Sequence, residues 1–175
     1  MSLTLTKVHE AIVESLQEPF AQKVETLRVH SPLVKDIKAP ALLLALDHMN
    51  GGNETGDGRT AVECSFSLCA ILPEKGLPAD KVSIAIANFA AEVLHQIRYN
   101  HWGLGSEVSH PHNLSAQPAD FKPGKAGFES WVVSWEQTVY LGEPEPDDSL
   151  LPDTVMVGID PDIGLDNENK YEQIV

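Results

Sequence analysis

Cysteine is scarce in this sequence: Cys64 and Cys69 are the only two. A spacing of five within one alternating stretch sends their side chains to opposite faces of a strand, which disfavours a disulfide between them. Two thiols also fall short of a structural zinc set, so free thiols in a reducing compartment are expected. Basic residues are few as well, 12 Lys and Arg against 26 Asp and Glu, for a net charge of −14. Gripping nucleic acid depends on cations neutralising phosphates, so this balance disfavours sequence-specific or nonspecific DNA binding and docking on anionic membranes. No apolar run approaches the ~20 residues that span a bilayer. The start, Met1 to Lys7, has no charged region leading into an apolar stretch, so no signal peptide is expected.

Signatures of catalysis are also missing. The sequence has no G-x-S-x-G elbow, no phosphate-cradling G-x-x-x-x-G-K-[ST], no G-x-G-x-x-G opening a helix and no H-E-x-x-H. The Gly-rich stretch Asn50–Gly58 carries Glu54 and Asp57, which repel phosphate, and reads as a flexible hairpin loop. Asp160, Asp162 and Asp166 superficially resemble a calcium loop, but Gly164 falls at position 5 and Tyr171 at position 12, where the EF-hand needs Gly at 6 and Glu at 12. His110 and His112, with His95, His101 and Asp120, are the candidate metal ligands. Nothing in their spacing fixes them on one face, so surface or packing roles are expected, with no cofactor and no metal.

What is present is a set of clear periodicities. Leu5, Val8, Ile12 and Leu16 form a helical stripe that Thr4 or Thr6 can cap and that Pro19 ends. Val24 to His30 fits either a short strand or a turn of helix. Ala41–Asp47, led in by Pro40, is a short apolar run suited to a buried strand. Thr60–Leu72 alternates, with Val62, Cys64, Phe66, Leu68, Ala70 and Leu72 apolar and Glu63, Ser65 and Ser67 polar; it is expected to pair with 41–47. Pro78 and Asp80 open a second helix with Val82, Ile86, Phe89, Val93 and Ile97 on one stripe, stopping by Gly103. Residues 103–127 read as a long connection.

In Phe128–Leu141, Trp131, Val133, Trp135, Val139 and Leu141 share a face that Gln137 interrupts. The two tryptophans suit either the core or a partner surface. Val155–Ile159 offers one more strand. Residues 143–175 hold ten acids against Lys170 alone, a net −9, and read as an acidic extension of a domain spanning 1–142. Hairpin-joined strands with bunched helices favour an α+β two-layer sandwich, a mixed or antiparallel sheet of about four strands with helices packed on one face.

The order of these features resembles that of the Mu-like phage tail terminator family, relatives of the lambda-type terminators. The likeness runs from the N-terminal helix through the Pro40-led strand, Val62–Leu72 and the helix reaching Trp102. It is strongest in Ser130-Trp131-Val132-Val133-Ser134-Trp135-Glu136-Gln137 through Tyr140-Leu141-Gly142. It continues in Val157-Gly158-Ile159-Asp160-Pro161-Asp162-Ile163-Gly164 and Tyr171-Glu172, while 106–127 match nothing. The resemblance implies a non-catalytic virion protein that assembles as a hexameric ring, the free chain being either ring or monomer. One ring face meets the last ring of tail tube protein and the other meets head-completion or neck proteins. It also implies a prophage-encoded product found in the bacterial cytoplasm during assembly and then in the virion tail. Glu54, Asp57, Arg59, Trp131, Trp135, Gln137, Asp160 and Asp162 are the candidate interaction residues. The competing readings are another neck or tail-completion protein, and a small metal-dependent hydrolase built on His110, His112 and Asp120.

Overall fold

The computed structural model describes residues 2–31, 37–53, 55–76, 78–119, 127–145, 156–161 and 163–173. The chain divides into two compact units, Met1–Glu143 and Pro144–Val175. The first unit is built of helix α1 (Leu5–Phe20), strands β1 (Thr26–Val29), β2 (Ala41–Gly51) and β3 (Thr60–Pro73), helix α2 (Ala79–Ile97), then β4 (His112–Pro118) and β5 (Phe128–Leu141).

Five strands form one mixed sheet in the order β1-β2-β3-β5-β4. β1 runs parallel to β2, and every other pairing is antiparallel. The β3–β5 ladder is the spine, running without a break from Thr60↔Leu141 to Pro73↔Phe128. Along it Phe66 faces Trp135, Leu68 faces Val133 and Cys64 faces Gln137, so the apolar parities of the two strands coincide on one side. Both helices lay their stripes on that side. Val8, Ile12, Leu16 and Phe20 of α1 and Ile86, Val93 and Ile97 of α2 are each 0% exposed. They share a core with Leu42, Leu44, Phe66, Leu68, Val133, Trp135 and Val139. The result is the α+β sandwich with helices on one face of the sheet.

Among the described residues, the opposite sheet face carries no helix. Its apolar end, Ala41, Leu43 and Ile71, is closed over by Ile37, Ala39 and Phe128, with Cys69 against it. Cys64 lies in the main core, so the two thiols do point to opposite faces. Burial pushes both up to about 11, which keeps them protonated and unreactive.

The structure corrects the sequence reading at several places. Pro19 does not end α1: it sits in the last turn, and the helix continues to Phe20. The buried Phe20 ring, edge-on to Phe89 at 5.9 Å, docks that turn on α2 and outweighs the one hydrogen bond the proline forfeits. Thr4 is the cap, its hydroxyl accepting from the Lys7 N–H at 3.3 Å. The ambiguous segment before Pro40 is the strand β1. β2 runs four residues past Asp47, to Gly51, through a register shift between Leu46 and His48 that bulges out Asp47. The supposed connection 103–127 contains the edge strand β4. α2 stops at Ile97, and Tyr99, Trp102 and Gly103, at φ 64, 56 and 74, turn the chain back toward the sheet.

In the second unit β6 (Met156–Val157) pairs with β7 (Glu172–Gln173), so the strand anticipated at 155–159 is two residues long. Gly158 is packed against the Tyr171 ring so closely that a Cβ would collide with it. The Tyr171 hydroxyl accepts from the Gly164 N–H at 2.9 Å. No helix among the described residues is long and apolar enough to cross a membrane.

Candidate functional site

The polar end of the helix-free sheet face gathers most of the chain's chemistry. Alternation on β3 and β5 places Glu63 and Glu136 on this face, because the core takes the opposite parity. β4, beside β5, adds His112 opposite Glu136. A register shift between His112 and Ser115, with Asn113 at φ 51, sets the orientation of this edge. His112 Nε2 lies 3.2 Å from Glu63 Oε1 and 3.6 Å from Glu136 Oε2. The Asn113 side-chain amide also donates to Glu136 Oε2.

Beside this trio, the β2–β3 hairpin loop forms a cleft of about 430 Å³ walled by Gly52, Thr55, Arg59, Glu63, Thr138 and Tyr140. The loop is tied by its own bonds. Arg59 donates Nε–H to Asp57 Oδ2 at 2.8 Å, and its Nη2 lies 2.7 Å from the same oxygen. The Arg59 backbone N–H donates to Asp57 Oδ1 at 3.2 Å, and the Thr55 hydroxyl donates to the Arg59 carbonyl at 2.8 Å. The Arg59 guanidinium also stacks over the Tyr140 ring at 5.1 Å. Hydrogen bonds from the Arg59 side chain, the largest cause, lower the Asp57 carboxyl to about 2. Gly56 and Gly58, at φ 75 and 77, supply the left-handed turns that bring Asp57 back onto Arg59.

A second polar constellation is buried. Gln137, 1% exposed, accepts from Trp102 Nε1 at 2.7 Å and Trp135 Nε1 at 3.3 Å. Its amide donates to the carbonyls of Ser109 at 2.7 Å and Asn100 at 3.3 Å. One side chain thus ties the turn after α2 to β5. Nearby, His101 and His110 meet ring nitrogen to ring nitrogen at 3.0 Å, and His101 Nδ1 also faces the Gly105 and Val108 carbonyls.

Of the residues singled out from sequence, Asp57 and Arg59 stand together at the hairpin tip. Trp135 and Gln137 lie inside the core, each 1% exposed, while Trp131 is partly buried at its margin. Asp160 is exposed in the second unit. Glu54, Asp162 and Asp120 lie outside the described residues. His110 and His112 do not converge on one ligand set: His110 bonds His101, and His112 meets two glutamates instead. The polar parity of Glu63 and Glu136 was visible in the alternation, but their meeting with His112 depends on strand order.

No protein-family model matches this chain, and no curated protein matches it in sequence.

Proposed function

We propose that this chain is a non-catalytic structural subunit of a phage tail, a terminator that forms a ring on the end of the tail tube. In this reading the ring stops further addition of tube subunits and offers its other face to head-completion proteins. The observation that carries it is that, among the described residues, the five-stranded sheet ends on two different outer strands, β1 and β4. Among the described residues, no strand pairs with the outer side of β1 or of β4, at opposite ends of one five-stranded sheet. Open edges are templates for pairing with another chain, and two different edges on one subunit permit the head-to-tail contact that closes a ring.

The polar, helix-free sheet face adds support, since it leaves a broad surface for subunit or tube contacts. The net charge of −14 suits a ring that conducts DNA without gripping it. The resemblance of this order of elements to that of Mu-like terminators is what points to the tail tube as partner.

The test is capping. Purified chain added to polymerising tail tube subunits should halt elongation, and electron micrographs should show short tubes bearing a ring at one end. Tubes that grow to the same lengths with and without the chain, and bare ends throughout, would count against the proposal.

A further inference from the structure

We propose that Glu63, His112 and Glu136 form a binding site for one divalent metal cation of the zinc or manganese class. The three side chains come from adjacent strands β3, β4 and β5, and their ligand atoms all lie within 4.8 Å of one another. Donor atoms held ~2.1 Å from a tetrahedral cation sit roughly 3.4 Å apart. The His112 nitrogen lies 3.2 and 3.6 Å from the two carboxylate oxygens, on either side of that spacing. One imidazole and two carboxylates are the donor set that zinc and manganese accept.

Electrostatics point the same way. Two carboxylates are drawn together here, yet no lysine or arginine among the described residues pairs with either; the described ion pairs place Lys23 on Glu92 and Arg59 on Asp57. The cluster therefore leaves a place for a cation between its oxygens and the His112 nitrogen. Its carriers are strand residues, and the Asn113 amide holds Glu136 from the side, as outer hydrogen bonds orient metal-binding carboxylates. The cleft of about 430 Å³ that shares Glu63 supplies an open side where water or a small anion completes the coordination. The His101–His110 pair is the weaker candidate, because His101 Nδ1 already serves two backbone carbonyls and, among the described residues, no carboxylate joins the pair. This site stands independently of the terminator reading.

The full chain, stripped with chelator, is titrated by calorimetry with Zn²⁺ and separately with Mn²⁺. At least one of the two should bind at one cation per chain. His112→Ala and Glu136→Gln should each weaken that binding more than tenfold, whereas His110→Ala should leave it unchanged. All three positions lie at the surface or partly exposed, so metal-free melting curves of the variants should match the parent. Should either of the first two variants melt early, Glu63→Gln replaces it in the comparison. Absence of saturable binding for both cations would overturn the proposal. So would binding that survives His112→Ala in full, or binding lost in His110→Ala instead.

Discussion

Replacing Trp135 by alanine is expected to destabilise the folded chain by about 3–5 kcal/mol, the usual loss for truncating a large buried aromatic. The Trp135 ring is 1% exposed at the centre of the β3–β5 ladder. It stacks on Phe66 at 5.4 Å and leans on Trp102 at 5.9 Å. Such aromatic pairs add about 0.5–1.5 kcal/mol beyond the area they bury. Domains of this size are stable by about 5–15 kcal/mol in total, so the variant should sit near the edge of folding. Urea unfolding followed by far-UV circular dichroism measures the loss. Trp135→Phe keeps the stack and should lose markedly less. A change below about 1 kcal/mol for the alanine variant would mean that the ring is not part of the core.

Gln137→Leu is expected to cost at least about 3 kcal/mol, although leucine is the more hydrophobic residue. The substitution leaves the Trp102 and Trp135 indole N–H groups without their acceptor and the Ser109 and Asn100 carbonyls without their donor. Each buried polar group left unmade costs about 1–3 kcal/mol; the two indole N–H groups meet that loss in full and the two half-buried carbonyls in part, and leucine's gain in burial offsets only some of it. The damage should be local as well as global. With the tie between β5 and the turn after α2 gone, the Trp102 environment should change, visible as a shift in tryptophan fluorescence before global unfolding. A Gln137→Leu variant as stable as the parent, with unchanged emission, would contradict the role assigned to this side chain.

Gln137 also marks the limit of what the sequence made legible. Its break in the apolar face of β5 was visible, but three of its four partners, Trp102, Ser109 and Asn100, lie 28 to 37 residues upstream and are joined to it only by the fold. Where a periodicity has a core behind it, the reading was direct: the alternation of Val62–Leu72 and the stripe Val82–Ile97 map onto β3 and α2. β4 was invisible for the converse reason. An edge strand with five exposed residues out of seven buries only Leu114 and Ala116, and those in part, so His112–Pro118 has the composition of a loop and owes its conformation to β5. The hairpin at Asn50–Gly58 looked merely flexible because its order comes from the Asp57–Arg59 pairing and two left-handed glycines, which composition does not weigh. Glu63 and His112 stand 49 positions apart, and no spacing rule reaches that far.

Tail length in a phage deleted for this gene tests the central claim most directly, because a terminator acts at the single step where tube growth ends. Electron micrographs of lysates should show tubes of widely scattered length, many far beyond the parent value, with uniform tails restored by the intact gene in trans. Tails of parental, uniform length in the deletion lysate would contradict the account.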